Sequence, residues 1–171
     1  FRLFIPLTGV TFSAGLMLGQ YRDAGFYLFL AVGFWLALWG HHLFFKEKLQ
    51  TEFAVGFVAL VTSASLWGLG GDMEGMKWCI ALCLGSGLGF VTSRYLLSYI
   101  RICEHCERGT AQTSYLLGWD AGLLAGYSVA FGLGTEVGQT IYTYIIGAIF
   151  VGTGMYHLFL VRPWYMRNKR K

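Results

Sequence analysis

Long apolar stretches separated by short polar links dominate this chain. A helix needs about 20 apolar residues to cross the roughly 30 Å of hydrocarbon in a bilayer. Six stretches approach or exceed that length: about Leu3–Gln20, Ala24–Phe45, Phe53–Gly70, Lys77–Ile100, Ala111–Gly134 and Val137–Val161. Each stretch is continuous, whereas a transmembrane β-strand needs only about 10 alternating residues. The pattern predicts one all-α domain, a polytopic transmembrane bundle of six helices, followed by a basic tail over residues 162–171.

Composition and the positions of the basic residues predict where this bundle lies. Hydrophobic residues make up 56% of the chain and charged residues only 13%, which is too apolar for a soluble domain of this length. If the helices alternate in direction, Arg22 and Lys77 lie on one face of the membrane. The other face carries Arg2, Lys46, Lys48, Arg101, Arg108, Arg162, Arg167, Lys169, Arg170 and Lys171. The positive-inside rule then predicts an inner (plasma) membrane protein with both termini in the cytoplasm.

The net charge of +4 follows from that bias. No basic surface outside the membrane-flanking loops is available for phosphate contacts, so nucleic-acid binding is not expected. The predicted partner is the lipid bilayer itself.

Two charged residues lie inside the apolar stretches. Asp120 is near the middle of the fifth stretch, and Arg94 lies seven residues before Arg101 in the fourth. An ionised side chain in hydrocarbon costs several kcal/mol, so each is expected to face a protein interior or a water-filled path. At 1.5 Å per residue, both lie roughly 10 to 14 Å inside the cytoplasmic boundary. We therefore predict that Arg94 and Asp120 form a pair.

Two functions and two structural roles fit such a pair. A buried carboxylate can exchange a proton during transport, or the arginine can hold an anionic group of a substrate. The structural alternatives are a static ion pair between two helices and an arginine whose side chain extends to the lipid headgroups.

Polar residues near Asp120 are the next candidates for a substrate or ion pathway. In the fifth helix they are Gln112, Ser114, Tyr115 and Trp119, and in the first helix Thr8, Thr11, Ser13 and Gln20. These side chains are expected to line a cavity with Asp120. The alternative for the hydroxyls is a hydrogen bond to a carbonyl of their own helix.

Small residues recur along the fifth helix at every fourth position: Ser114, Gly118, Gly122, Gly126, Ala130 and Gly134. Such spacing puts them on one face, where the backbone of another helix can approach closely. Gly85, Gly87 and Gly89 of the fourth helix predict a second packing surface, because no strand precedes them as a nucleotide-binding loop would require. The stripe indicates either static packing or a surface that slides during a conformational cycle.

Histidines and cysteines raise alternatives from other functional classes. His42 and His157 lie at similar depth on different helices, as the axial ligands of a b-type haem would. Cys103 and Cys106 have the two-residue spacing of zinc and redox sites, but with His105 they supply too few ligands for a structural zinc. No catalytic triad, zinc-protease motif or paired carboxylates occur, so neither an enzyme nor a bound metal or cofactor is expected. A haem electron-transfer protein and a non-transporting six-helix assembly protein remain the alternatives.

The order of the helices is compatible with a transporter. Three helices, a short acidic link at Gly71–Gly75 and three more helices suit the three-plus-three inverted repeats from which many secondary transporters are assembled. The chain begins at Phe1 rather than with methionine and lacks the charged leader of a signal peptide. We therefore expect it to be a fragment of a longer protein.

Three segments carry a resemblance to a known family. They are GLGFVTSRYLL at Gly87–Leu97, CERGTAQTSY at Cys106–Tyr115 and GWDAG at Gly118–Gly122. In this order they resemble the tenth and eleventh helices of bacterial major facilitator superfamily transporters, specifically over about Leu84–Gly126. The resemblance implies the C-terminal six-helix half of a carrier whose N-terminal half is its expected partner. It further implies transport of an unidentified small solute by rocking of two bundles about a midplane site.

Overall fold

The structure, a computed structural model, describes residues 2–44, 49–70, 73–103, 105–133 and 139–168. All regular secondary structure in these ranges is helical. The helices are α1 (Phe4–Leu18), α2 (Ala24–Phe44), α3 (Leu49–Gly70), α4 (Glu74–Ile102), α5 (Arg108–Leu133) and α6 (Gln139–Tyr156). A single 3₁₀ turn, His105–Glu107, precedes α5. The predicted all-α class is therefore confirmed.

The last helix is longer than the sequence predicted. After α6 the chain passes through a π-helical segment, His157–Val161, into a short helix, α7 (Arg162–Asn168). Together these form one continuous apolar helix from Thr140 to Asn168. Pro163 cannot donate a backbone hydrogen bond, so the helical ladder changes where the wider π turn lies immediately upstream. The predicted basic tail is thus helical over its described part.

Three helices are long and apolar enough to cross a bilayer. They are Thr51–Gly70, Gly75–Ile102 and Thr140–Asn168. Two shorter apolar helices, Phe4–Leu18 and Ala24–Gly40, accompany them, and within the described ranges α5 belongs to neither group. The chain is therefore a membrane protein. The count of six crossings, the assignment to the inner membrane and the orientation of the termini remain predictions.

Each helix packs against a defined set of neighbouring helices. α1 lies against α5 and α6, α4 lies against α2 and α3, and α3 also packs on α6. Large apolar side chains from every helix fill the interior, including Leu7, Met17, Phe26, Leu60, Leu84, Tyr115, Ile146 and Phe150. The start of α1, the end of α4 and α7 meet at one end of the bundle, which carries Arg2, Arg101 and Arg162 and which we call the basic end.

Glycines allow two helix pairs to touch through their backbones. Between α1 and α5, a Cβ atom added to Gly15 would lie 2.5 Å from the carbonyl oxygen of Leu123. Gly126, on the opposite side of the same contact, faces the carbonyl oxygen of Phe12. Gly118 and Gly122 continue this surface along α5, so it includes three glycines of the small-residue stripe seen in the sequence. The fourth, Gly134, lies outside the described residues. No larger residue fits at such distances, since real Cβ atoms do not approach a carbonyl that closely.

The contact between α2 and α4 has the same construction. A Cβ atom on Gly33 would lie 2.5 Å from the carbonyl oxygen of Leu82, and one on Gly89 would lie 2.9 Å from that of Phe34. Gly85 faces the carbonyl oxygen of Leu30. Both helix pairs are therefore held at backbone contact distance. A third, looser approach joins α3 and α4, where a Cβ atom on Gly87 would lie 3.0 Å from the carbonyl oxygen of Gly56.

Candidate functional site

A buried ion pair connects α3 and α4. The side chain of Arg94 donates from Nε to Oε2 of Glu52. Arg94 is 6% exposed and Glu52 only 1% exposed. Removing one partner of such a pair leaves an uncompensated charge in a low-dielectric interior, which costs about 3–5 kcal/mol. The pair is therefore the most constrained charged feature in the described part of the chain.

The two helices bring these residues together near the basic end. Glu52 lies in the first turn of α3, where the partial positive charge of the helix N-terminus favours a carboxylate. Arg94 lies about two turns before the end of α4, and its own carbonyl oxygen accepts a 2.7 Å hydrogen bond from Ser98 Oγ. A shallow cavity of about 220 Å³, lined by Ser93, Arg94, Leu96, Leu97 and Ile100, borders the arginine. The ion pair thus lies just beneath the surface of the bundle.

Three rings, those of Phe53, Tyr95 and His157, pack on one another, and two of them belong to residues adjacent in sequence to the ion pair. Phe53 and Tyr95 directly follow Glu52 and Arg94 in sequence, and both contact His157. The centroids of the Phe53 and His157 rings are 4.0 Å apart. The Tyr95 hydroxyl and His157 Nδ1 form a 3.2 Å hydrogen bond. We call these five residues, on α3, α4 and the π segment, the ion-pair cluster.

The π segment positions the histidine of this cluster. His157 is its first residue and is 7% exposed. π-helical turns inside α-helices occur frequently at functional sites, because the extra residue per turn redirects a side chain that packing would otherwise fix. The ion-pair cluster therefore combines a carboxylate–guanidinium pair with a hydrogen-bonded phenol and imidazole, on α3, α4 and the π segment.

The predicted pair of Arg94 with Asp120 is not formed. Asp120 is exposed on α5, whereas Arg94 is buried against Glu52. Gly118 and Gly122 face α1, and at 100° per residue Asp120 points away from that contact. The prediction rested on depth along the helices, and depth does not determine the direction in which a side chain points. The role of Asp120 in a pathway remains a prediction.

The other predicted pathway residues are dispersed. Gln112 is exposed, Ser114 and Trp119 are half-buried, and Tyr115 is buried with its ring edge against Tyr99. In α1 the hydroxyl of Thr11 donates to the carbonyl oxygen of Leu7, the self-helix bonding that was the alternative. The hydroxyls of Thr8 and Ser13 are buried without a partner in the described chain, and Gln20 is half-buried. The structure does not gather these side chains around Asp120, so a shared pathway stays a prediction.

The haem and metal alternatives gain no support from geometry. The side chains of His42 and His105 lie outside the described residues, so neither predicted ligand set is seen complete. Cys103 and Cys106 are free thiols. Over the described ranges, no three His, Cys, Asp or Glu side chains converge as a metal site would require.

Sequence reasoning missed Glu52, Phe53 and Tyr95. The predicted third helix began at Phe53, which put Glu52 in the preceding loop, but α3 begins at Leu49 and includes it. The available signal was an acidic residue immediately before an apolar stretch, at about the same depth as Arg94 in the following helix.

Comparison with protein-family models, with curated proteins and with solved structures gives no match.

Proposed function

We propose that this chain is one six-helix half of a secondary transporter that moves a small solute by alternating access, coupled to a proton or another ion. The supporting observation is the pattern of helix contacts. If α1 corresponds to α4, α2 to α5 and α3 to α6, then the α1–α5 contact corresponds to the α4–α2 contact. Likewise the α3–α4 contact corresponds to the α6–α1 contact. A three-plus-three repeat in which the halves exchange their second helices would give these pairs.

The glycine contacts support the same correspondence. Both exchanged pairs, α1 with α5 and α2 with α4, are built on backbone-to-backbone approach. Contacts of this kind let helices shift along each other without forcing side chains to change rotamer. That property suits a bundle whose packing must change during a transport cycle.

The position of Asp120 favours a second protein surface against α5. Its neighbours on the outside of the helix, Leu117 and Leu124, are 62% and 68% exposed. A carboxylate surrounded by such side chains would face hydrocarbon if nothing covered this surface, at a cost of several kcal/mol. The other half of the carrier is the occupant that the proposal assigns to it, and Asp120 would then line the space between the halves.

The ion-pair cluster supplies the coupling chemistry of the proposal. Glu52 and Arg94 join helices that belong to different repeats under the correspondence above. A link of this kind can break and re-form as the repeats move.

Transport by the full-length protein tests the proposal. Membrane vesicles containing it would be loaded with a pH-sensitive dye and challenged with pools of small solutes. We expect at least one pool to cause proton movement, and Asp120→Asn to abolish this movement while the protein level in the membrane stays unchanged. Ser128→Ala, also exposed on α5, is the matched control and should transport normally.

Two results would count against the carrier. Unchanged proton movement in the Asp120→Asn vesicles would remove this residue from the mechanism. A reading frame without six further membrane helices on the N-terminal side of Phe1 would remove the second half, and would favour a six-helix assembly protein instead.

A further inference from the structure

A hollow at the basic end is chemically distinct from the ion-pair cluster. Its volume is about 360 Å³, within the range of about 300–1,000 Å³ that is usual for small-molecule sites. It lies between the start of α1, the end of α4 and α7. Its lining residues are Arg2, Leu3, Tyr99, Ile102, Cys103 and Trp164. We call it the Arg2 hollow.

One wall of the Arg2 hollow is cationic. The guanidinium carbon of Arg2 lies 5.7 Å from the centroid of the Trp164 ring, a cation–π contact. Stacking uses the face of the guanidinium and leaves its N–H edge, which matches the oxygens of a phosphate. Within the described part of the chain, Arg2 forms no ion pair with a carboxylate. Its charge is therefore available to a ligand.

The remaining walls suit a ligand that is partly apolar. Leu3 is 6% exposed and Ile102 is half-buried, so both present hydrocarbon to the hollow. The Tyr99 hydroxyl is buried without a hydrogen-bond partner in the described chain, which leaves an unused donor at this depth. Tryptophan beside arginine at the end of a membrane helix is typical of the headgroup level of a bilayer.

We propose that the Arg2 hollow binds the headgroup phosphate of an anionic phospholipid from the leaflet at the basic end. The phosphate oxygens would contact the Arg2 guanidinium, and the acyl chains would run along Leu3 and Ile102. A lipid fits better than free phosphate because half of the lining is apolar. Basic pockets between membrane helices on the cytoplasmic side bind anionic headgroups in this way. This inference does not depend on transport and would hold for a non-transporting bundle.

The thiol of Cys103 reports directly on the hollow. Cys103 lines it, while Cys106, three residues later, is exposed and does not. The full-length protein would be placed in nanodiscs of dioleoylphosphatidylcholine, with or without dioleoylphosphatidylglycerol, and reacted with N-ethylmaleimide, which is uncharged. Cys106→Ser gives the rate at Cys103, and Cys103→Ser gives the rate at Cys106, each read by mass spectrometry of the tryptic peptide 102–108.

We expect the anionic lipid to slow labelling of Cys103 by about fivefold, the preference that one arginine near an anionic surface provides. Labelling of Cys106 should slow less than that of Cys103, and the ratio of the two rates removes the effect of the surface pH of the anionic membrane. Arg2→Gln should remove the protection of Cys103. Arg167→Gln, an exposed arginine of α7 outside the hollow, should retain it.

Three results would overturn the inference. The first is equal slowing at both cysteines, since this reflects the membrane surface rather than the hollow. The second is a labelling rate of Cys103 that is the same in both lipid compositions, or slowing by the anionic lipid that persists in Arg2→Gln. The third is equal protection by inorganic phosphate in phosphatidylcholine nanodiscs, which would assign the site to a soluble anion instead of a lipid.

Discussion

The ion pair between Glu52 and Arg94 gives the sharpest test of the structure. Both side chains are almost fully buried, so replacing either by alanine strands the other charge. Each single substitution should therefore lower the free energy of unfolding by about 3–5 kcal/mol. Native proteins are stable by only about 5–15 kcal/mol in total, so the loss is large. Removing both residues leaves no stranded charge, and the double variant should be less destabilised than the sum by about 2 kcal/mol.

A double-mutant cycle measures this difference. The four proteins, wild type, Glu52→Ala, Arg94→Ala and the double variant, would be unfolded by increasing sodium dodecyl sulfate in mixed micelles, with helical circular dichroism as the signal. Arg101→Ala, an exposed position on the same helix, should stay within about 0.5 kcal/mol of the wild type. Its role is to separate loss of the pair from loss of any arginine.

A second cycle distinguishes the observed partner from the one that the sequence suggested. Arg94→Ala and Asp120→Ala should be additive within about 0.5 kcal/mol, because these residues do not contact each other. Additive effects of Glu52→Ala and Arg94→Ala, or strong coupling between Arg94 and Asp120, would refute the assignment of the pair.

Two further substitutions have matched controls elsewhere on the same helix or in the same bundle. Gly126→Ala forces a methyl group into the backbone of α1 and should destabilise the protein by about 1–3 kcal/mol. Gly132→Ala, with open space around it, should be neutral or slightly stabilising. Equal losses of stability in the two variants, measured by unfolding in detergent, would contradict the backbone contact. Tyr95→Phe removes the hydroxyl that bonds to His157 and should cost about 0.5–1.5 kcal/mol. Tyr144→Phe, at a residue 75% exposed, should cost nothing measurable, and a Tyr95→Phe variant as stable as the wild type would exclude that bond.

The helices were predictable from the sequence because long apolar stretches have few other solutions. The helix boundaries were less predictable, as α3 shows. A helix can begin in a polar segment when an acidic residue of its first turn, such as Glu52, is buried against a neighbouring helix. The same difference of one turn concealed the true partner of Arg94. Apolar stretches of membrane proteins carry little amphipathic periodicity, since lipid and protein interior favour the same residues. The direction in which Asp120 points was therefore not available from the sequence.

Some features did leave a readable signal. The four-residue spacing of Gly118, Gly122 and Gly126 can be recognised because close backbone approach permits only the smallest residues. The contact of His157 with Tyr95 and Phe53 left none, since it depends on a π turn that redirects one side chain. The Arg2 hollow likewise arises only when the start, middle and end of the chain meet.

The unbroken helix from Thr140 to Asn168 has a mechanical consequence. Its 29 residues extend about 43 Å at 1.5 Å per residue, well beyond the roughly 30 Å of hydrocarbon. Such a rod must lean or project from the membrane. The helix is about 36 Å long between Thr140 and Trp164. If it tilts as a rigid body, a change of about 10° in its tilt angle displaces Trp164 by about 6 Å relative to Thr140. Events at the far surface of the bilayer would then widen or narrow the space beside Arg2.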